Sequence, residues 1–439
     1  MALRLRAGHS FGLRCWSKNV NRFFKILISA ATTFGRAPRA AQVGMFLFFA
    51  ASVSDGILMP FFALWAHKDA GIPIELIGLL LGCYAGGELL ATPFFGGIAD
   101  RVGRRPVLLV STSGVGLGFL LLFMVRGAFA VAGALIVIGV FESVLHPTAS
   151  TVIADVVPAD ARREHFAARR VMSNAGSMVG PALGALLALH SLGLVFLGGA
   201  VALLVGALVV AIFLRETRPS RPAAEEEDEE SLLVLTAVFR DAHLAGLIIP
   251  IALLGIAESW IATITPLYAD AAGTLTASGI GLLFTYAGAL GVVLQMPITQ
   301  ATGRMSGFSI VMLSGAVQAL AFACLLASPA LPFLVGAVTL LALAQMLSGP
   351  LVQTIVTELA PRNAQATYQA AFGVVNDLRD AAGPAIGTWL YALSSVLPWG
   401  TGLVASLVAS GALAAAARRH EARQAKIRAK AATERRAGG

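Results

Sequence analysis

The amino-acid sequence predicts an all-α integral membrane protein whose twelve transmembrane helices form two parallel six-helix repeats. Composition is the first indication, because 57% of the 439 residues are hydrophobic and only 13% are charged. A soluble domain carries about 25% charged residues. Apolar runs of about 20 residues recur along the chain, and each is long enough to span the bilayer core as a helix. The third indication is a residue pattern that repeats at an offset of 203 positions, as from Pro147 to Pro350.

The apolar runs define the predicted transmembrane segments in order. They are interpreted as helices because backbone polar groups in lipid must find their hydrogen-bond partners within the chain. The predicted spans are 42–66, 75–98, 106–125, 128–154, 168–189, 192–214, 244–268, 277–299, 307–328, 331–356, 366–393 and 396–416.

The net charge of +8 is distributed unevenly between the two sides of these spans. Loops on one side hold only Lys68 and Arg126, and all the other lysine and arginine residues lie toward the opposite side. This bias predicts a multi-pass protein with both termini in the cytoplasm. We expect the protein in a bacterial cytoplasmic membrane. The basic tail from Arg418 to Arg436 is typical of an anchor for lipid headgroups, and no nucleic-acid partner is expected.

Two extensions and a linker complete the predicted domain organisation. Residues 1–41 are a basic cytoplasmic extension, interpreted as an interfacial amphipathic helix or a loose segment rather than a cleaved signal peptide. Residues 42–214 and 244–416 form the two six-helix halves, and residues 417–439 form the basic cytoplasmic tail. The cytoplasmic linker, 215–243, contains an acidic run of the kind that is usually solvated.

The two halves share proline, glycine and acidic positions. Asp155 matches Glu358, and the stretch Gly180-Pro181-Ala182-Leu183-Gly184 matches Gly383-Pro384-Ala385-Ile386-Gly387. Parallel repeats of this kind are found in secondary transporters.

The most informative local motif links the second and third predicted spans; it reads Gly96-Gly97-Ile98-Ala99-Asp100-Arg101-Val102-Gly103-Arg104-Arg105-Pro106. Asp100 can pair with the arginines that follow it and can cap a helix end. A generic basic turn that obeys the positive-inside rule is the alternative interpretation. The stretch resembles the loop 2–3 signature of the major facilitator superfamily, G-x-L-A-D-R-x-G-R-K-P, with Ile98 at the leucine and Arg105 at the lysine.

The resemblance covers about residues 42–416 and implies the major facilitator fold, in which two six-helix halves alternate in access. The matching turn of the second half agrees less well, because Gln300 replaces the acid before Gly303 and Arg304. For the first-half turn, the resemblance implies a conformational switch formed by Gly96, Asp100, Arg101, Gly103, Arg104 and Arg105.

Glycines recur on one face of the fifth predicted span. Gly176, Gly180 and Gly184 are spaced at i, i+4 and i+8, and Pro181 follows the second of them. Such a stripe of small residues permits close helix approach. The pattern G-x-x-x-G-P-x-x-G also resembles the fifth-span motif of the drug–proton antiporter branch, with Ala185 where that motif prefers a second glycine. The resemblance implies export, while helix packing alone would also account for the glycines.

Ionisable side chains inside the predicted spans are the candidates for proton coupling and the substrate cavity, because such groups are rare and energetically costly there. Asp55 precedes Pro60 in the first span, and its placement resembles the first-span acid of drug–proton antiporters. Glu142 and His146 lie one turn apart on one face of the fourth span, and Glu258 lies in the seventh. The superfamily resemblance implies that these spans line the central cavity. The alternative is that each acid is structural and hydrogen-bonded to a neighbouring helix.

One departure from the antiporter branch concerns the fourth span. The branch carries an arginine before a Q-G-x-G stretch, and alignment on Pro147 places Leu135 at that arginine and Gly139 at the first glycine. Because the basic partner is absent, coupling would have to use Glu142 and His146 in a different way.

Arg379 is the one basic residue deep within a predicted span, and Asp377 and Asp380 flank it. At a rise of about 1.5 Å per residue, Glu88 lies about 18 Å and Arg379 about 20 Å from the cytoplasmic ends of their spans. The superfamily resemblance implies that spans 2 and 11 pack across the two halves. We therefore expect an interdomain ion pair between Glu88 and Arg379, and the alternative is that Arg379 pairs within its own half.

The sequence lacks the signatures of several other functional classes. No glycine-rich loop is followed by lysine and a hydroxyl residue, so ATP is not expected to drive the protein. No metal-ligand spacing is recognised, and the scattered cysteines, Cys15, Cys83 and Cys324, imply no disulfide framework. We expect no cofactor and no enzymatic activity.

The predicted function is that of a monomeric secondary active transporter that exports hydrophobic or amphipathic small molecules in exchange for protons. A metabolite exporter or a proton-coupled importer of the same fold is the alternative, and a membrane sensor or scaffold without transport is a more remote one. Apolar and aromatic cavity walls favour such solutes over sugars or phosphates. The expected contributors are Phe61, Phe62, Trp65, Trp260, Tyr268 and Tyr286.

Overall fold

The computed structural model describes residues 32–95, 98–158, 160–218, 242–303, 305–359 and 365–437. Within these ranges the regular secondary structure is entirely α-helical, which confirms the predicted all-α class.

The described part of the first half begins with a short helical turn at residues 32–36. Six long helices follow, and a five-residue helix lies between the second and third of them. In chain order they are α1 (Arg39–Lys68), α2 (Ile74–Phe95), α3 (Ile98–Val102), α4 (Arg104–Met124), α5 (Ala128–Val156), α6 (Arg162–Ala188) and α7 (Leu192–Phe213).

The described part of the second half contains six long helices, and the last continues beyond the predicted span into the basic tail. Each of the twelve predicted spans corresponds to one long helix, and a span that runs past the end of its helix does so by at most about three residues. The second-half helices are α8 (Ala242–Ala271), α9 (Ala277–Thr302), α10 (Gly307–Ala327), α11 (Leu331–Leu359), α12 (Gln365–Leu393) and α13 (Leu397–Ala437).

Eleven of these helices are long and apolar enough to cross a membrane. The twelfth predicted span lies in α12, whose 29 residues are sufficient in length. This helix carries Asp377, Arg379 and Asp380 near its middle. Charged side chains within a spanning helix face the interior of a bundle or a water-filled cavity, so α12 belongs on the inner side of the bundle.

The core of the first half surrounds α1, whose buried side chains extend along most of its length. The Trp65 ring meets the Phe196 ring edge-on, with centroids 4.7 Å apart. Burial of such aromatic rings contributes much of the packing free energy of a core. Four of the aromatic residues expected to line the cavity are instead buried in helix interfaces in this conformation: Phe61, Phe62, Trp65 and Trp260.

The two halves meet along two long helix pairs, α2 with α12 and α6 with α9. The backbone amide of Gly78, near the start of α2, donates to Thr388 Oγ1 on α12 at 3.2 Å. A Cβ at Gly281, near the start of α9, would lie 2.8 Å from the Pro181 carbonyl oxygen of α6. Both contacts lie at the end of the bundle opposite the turn between α2 and α4, residues 98–106, which we call the charged turn. The halves are therefore held together at the end away from this turn.

Candidate functional site

The charged turn is organised around the guanidinium of Arg104, which is almost fully buried. Its Nη2 lies 2.7 Å from Asp100 Oδ1, and its Nε donates to Asp155 Oδ2 at 3.1 Å. Its Nη1 donates to the Ala99 carbonyl oxygen at 2.9 Å. One arginine therefore ties α3 to the start of α4 and to the end of α5.

The start of α4 is capped by a residue that follows α7. Gly103 has φ +115°, a conformation that favours glycine, and a Cβ there would lie 2.6 Å from a Glu216 oxygen. Glu216 Oε1 accepts from the Arg104 amide at 2.9 Å, and Oε2 accepts from the Arg105 amide at 3.2 Å. A carboxylate at a helix N-terminus satisfies amides that lack helical partners and interacts favourably with the helix dipole.

Glu216 lies outside the spanning helices, and its pKa is lowered from the usual glutamate value. Burial raises the pKa, but backbone amides of Arg218, Arg104, Arg105 and Thr217 stabilise the ionised carboxylate and outweigh that effect. The Arg218 guanidinium also donates to the Arg101 carbonyl oxygen at 2.7 Å. The segment after α7 is thereby fixed to the charged turn.

The predicted switch residues differ in their exposure. The Asp100 side chain is 69% exposed, although it pairs with Arg104. Arg105 Nη2 donates to the Ala211 carbonyl oxygen of α7 at 3.0 Å. Gly96 lies outside the described residues. The ion pair expected for Asp100 is thus present in the structure, and the switch role of this turn stays a prediction.

Three ionisable residues that were predicted as proton-coupling candidates, Asp55, Glu142 and His146, come together between α1, α2 and α5. His146 Nε2 lies 3.9 Å from Glu142 Oε1, and the Tyr84 hydroxyl donates to Glu142 Oε2 at 3.0 Å. Asp55 completes the group, because its carboxylate oxygen, a Glu142 oxygen and a His146 nitrogen all lie within 4.8 Å of one another. The His146 ring stacks on Phe48, with centroids 5.2 Å apart. Two carboxylates, a phenol and an imidazole therefore share one small site, which we call the first-half acid site.

Close approach of α2 and α5 brings Tyr84 to Glu142. A side chain at Gly139 of α5 would collide with the Tyr84 carbonyl oxygen. A Cβ at Gly87 of α2 would lie 2.9 Å from the Ile136 carbonyl oxygen. One glycine on each helix thus lets the two backbones touch.

The second-half acid Glu258 lies in a separate group formed by α8, α11 and α12. Gln345 Nε2 donates to Glu258 Oε1. The Arg379 side chain crosses α8 at Gly255, where an added Cβ would lie 2.8 Å from the Arg379 Nε. Gly255 precedes Glu258 by about one helical turn, so the guanidinium lies on the same side of α8 as this carboxylate.

The predicted interdomain ion pair between Glu88 and Arg379 is not formed in this conformation. Arg379 Nε lies 2.8 Å from Asp380 Oδ1, which is the alternative pairing within its own half. Glu88 instead lies within electrostatic range of Asp377 and Asp380 on α12, and of Asp55 on α1. The reason is local, because Asp380 is the sequence neighbour of Arg379 and can pair with it whatever the distance between the halves.

The glycine stripe of the fifth predicted span lies on α6, against α1. Side chains at Gly176, Gly180 or Gly184 would collide with backbone oxygens or an aromatic ring of α1. Pro181 packs on Gly56, where an added Cβ would lie 2.9 Å from the Pro181 Cδ. The packing role of the stripe is visible in the structure, and its role in export stays a prediction.

Three residues important to these contacts were missed by sequence reasoning about the site. Lys68 Nζ lies 2.6 Å from Asp270 Oδ1 and joins α1 to α8 across the halves. Lys68 is one of two lysine and arginine residues in the loops on its side of the spans, and this rarity was the signal available in the sequence. Tyr84 carries no charge that would mark it within a span. Glu216 lies in a charged loop, where one more carboxylate gives no signal.

Comparisons with known proteins find a family model and relatives that match most of the chain. The family model of the Major Facilitator Superfamily matches residues 44–384. The uncharacterized MFS-type transporter YhjO of Bacillus subtilis is 25% identical over 342 residues, which cover 76% of this chain and 82% of that protein. The class C tetracycline resistance protein of Escherichia coli is 25% identical over 353 residues, which cover 76% of this chain and 86% of that protein.

A solved structure resembles the chain in fold. The nucleoside transporter NupG superimposes with a TM-score of 0.71 and covers 87% of this chain and 98% of its own, at 14% sequence identity. At that identity the likeness shows the arrangement of helices and carries no information about the solute.

Proposed function

The chain belongs to the major facilitator superfamily, and from this membership and the geometry of its acids we propose that it is a proton-coupled exporter. It is an integral membrane transporter rather than an enzyme. In the proposal, hydrophobic or amphipathic small molecules leave the cytoplasm of a bacterium in exchange for protons, by alternating access between the two halves. One chain is the functional unit, and both termini face the cytoplasm.

The observation that carries the proposal is the first-half acid site. The Glu142 side chain is 3% exposed, and an oxygen of Asp55 lies within 4.8 Å of one of its oxygens. Two carboxylates this close in a low-dielectric site repel each other when both are ionised. A site of this kind therefore binds a proton when it is closed, and it can release that proton when water or a cationic solute enters.

Two further features support export of drug-like solutes. The similarity to a tetracycline resistance protein supports the outward direction and a solute of that size. The glycine stripe of α6 resembles the fifth-span motif of the drug–proton antiporter branch. Near the middle of the membrane helices, the charged side chains are mostly acids in both halves, which disfavours phosphates and other anions as solutes. These acids are Asp55, Glu88, Glu142, Glu258, Asp377 and Asp380, against Arg379.

Proton movement in inverted vesicles tests the proposal. Vesicles would be prepared from a bacterial host that lacks its own drug pumps and energised by respiration, so that protons accumulate in the lumen. Addition of an exported solute should release lumenal protons, which a pH-sensitive fluorescent dye reports. Tetracycline, lipophilic cationic dyes and uncharged amphipathic compounds form the substrate panel.

Asp55→Asn should abolish the proton release, and Asp69→Asn is the matched control, because Asp69 is an exposed acid just beyond the end of α1. Solute movement that persists unchanged with a protonophore would contradict proton coupling. Accumulation in right-side-out vesicles would favour the importer alternative.

A further inference from the structure

We propose that Asp55, Glu142 and His146 form a binding site for a divalent transition-metal cation. Equilibrium binding of such an ion does not depend on the direction of transport or on the proposed function. Sequence spacing gave no indication of it, because the residues come from two helices that are distant in the chain. The fold brings the three donor groups together.

The geometry of the three donors fits one ion. Glu142 and His146 lie one turn apart on α5, with His146 Nε2 3.9 Å from Glu142 Oε1, and α1 supplies Asp55. All three donor atoms lie within 4.8 Å of one another. Around Zn²⁺ with ligand distances of about 2.0–2.1 Å, neighbouring tetrahedral ligands are about 3.3 Å apart. Small side-chain rotations therefore suffice to bring the donors into the first coordination sphere.

The donor types select the class of ion. An imidazole nitrogen suits zinc, iron, nickel and copper, and carboxylate oxygens also suit manganese. A three-donor set with one nitrogen leaves room for water in the remaining positions of a tetrahedral or octahedral ion. Mg²⁺ and Ca²⁺ prefer oxygen ligands alone, so they fit this set less well.

The surroundings of Glu142 are those of a metal ligand. The Tyr84 hydroxyl donates to Glu142 Oε2, which leaves Oε1 directed toward His146. Hydrogen bonds of this kind orient metal-binding carboxylates. The Phe48 ring, parallel to the His146 ring within 7°, restricts the imidazole in the same way. The His146 side chain is 34% exposed, so an ion can enter on that side.

In the part of the chain that the structure describes, no guanidinium or ammonium group is paired with the carboxylates of this site. Among the residues that the structure describes, His146 is the one basic group within ion-pair distance of either carboxylate. Arg169 lies against the Phe48 ring, 4.4 Å from its centroid, and donates to Ser150 rather than to an acid. Two carboxylates in a largely buried site need a compensating positive charge, which either a bound proton or a metal cation can supply. A divalent ion would supply both the missing charge and the missing ligand contacts.

Cobalt titration of the purified full-length protein tests the site. The affinity tag is removed, the protein is stripped with a chelator, and Co²⁺ binding is followed by its visible d–d absorption. Wild type should bind one Co²⁺ per chain, and Zn²⁺ but not Mg²⁺ should displace it. Asp55→Asn and His146→Gln should each weaken binding at least about tenfold, because even outer partners of metal ligands are worth about 10- to 100-fold in affinity.

Glu258→Gln is the control, because this acid lies in the other half and should leave cobalt affinity unchanged. Melting temperatures of the metal-free variants establish that each is folded. Copper-loaded wild type gives a readout that needs no variant, since its electron paramagnetic resonance spectrum should show coupling to one imidazole nitrogen.

The absence of saturable cobalt binding to wild type would overturn the proposal, as would equal affinity in Asp55→Asn, His146→Gln and wild type. An oxygen-only copper spectrum would also overturn it. Any of these results would leave the proton-coupling proposal standing, because that proposal is tested by proton release in vesicles without added metal.

Discussion

Lys68 at the end of α1 and Asp270 near the end of α8 form an ion pair of 2.6 Å that joins the two halves of the protein. The hydrogen bond from the Gly78 amide to Thr388 lies at the same end. At the opposite end, Arg104 pairs with Asp100 and Asp155, and all three of these residues belong to the first half. With the proposed orientation, the structure represents a conformation that is closed toward the outside.

Removal of the Lys68–Asp270 pair should shift the population toward the outward-open conformation. The two side chains are 48% and 17% exposed, and a pair this exposed contributes at most about 1 kcal/mol. Lys68→Gln should therefore change the ratio of conformations by about fivefold or less. Distances between spin labels at the outer ends of α1 and α8 measure the shift. The double charge reversal, Lys68→Asp with Asp270→Lys, should restore the original distribution, and an unchanged distribution in Lys68→Gln would rule out a latch.

Glu216 should stabilise the charged turn only while it is ionised. Its pKa is lowered in the folded protein, so its contribution is fully present above the unfolded glutamate pKa and is lost as pH falls through the lowered folded value. Glu216→Gln should lower the melting temperature at neutral pH. Since the side chain is exposed to solvent, the expected loss is only about 1 kcal/mol.

The control for Glu216 is Glu75→Gln, which removes an exposed acid from the first turn of α2. Equal melting temperatures for Glu216→Gln and Glu75→Gln at neutral pH would contradict the capping role. A difference between the two variants that did not shrink toward acidic pH would contradict the sign of the pKa shift.

Asp100→Asn should impair transport more than stability. Asp100 is mostly exposed and pairs with Arg104, which keeps Asp155 as a second partner when Asp100 is neutral. The loss should therefore fall on the conformational equilibrium and not on substrate affinity. Turnover and equilibrium binding, measured on the same preparation, separate the two effects. Normal turnover in Asp100→Asn would remove the switch role from this residue.

Arg104→Gln, in contrast to Asp100→Asn, should lower the stability of the protein. The guanidinium is buried, and its removal strands Asp155, whose side chain is 15% exposed. Removing one partner of a buried pair costs about 3–5 kcal/mol, and solvent contact at this site brings the expected value toward the lower bound. Thermal unfolding of the purified protein measures it, and a melting temperature equal to that of wild type would show that the cluster is not structural.

The fold could be predicted well because each span can be recognised from its own residues. Length and apolar composition act on one helix at a time, so all twelve spans could be placed without knowledge of their packing. The stripe of Gly176, Gly180 and Gly184 was similarly readable, since spacing along one helix determines which residues share a face.

The side-chain partners were harder to predict because they depend on rotation about the helix axis. Equal depth of Glu88 and Arg379 followed from helical rise, but depth does not fix which way each side chain points, and Asp380 was the nearer partner. The Glu216 cap was hidden for a different reason. Its partners are backbone amides, which leave no mark in the sequence.

Uphill efflux in neutral variants of the spanning acids tests proton coupling most directly. Asp55→Asn, Glu142→Gln and Glu258→Gln would each be assayed for efflux against a substrate gradient, beside equilibrium binding of the same substrate. We expect Asp55→Asn to stop uphill efflux while substrate still binds and exchanges down its gradient. Glu142→Gln should follow it closely, because the two carboxylates share one site, and Glu258→Gln should have the smallest effect. Uphill efflux with a normal pH dependence in all three variants would contradict proton antiport and leave facilitated diffusion or another coupling ion.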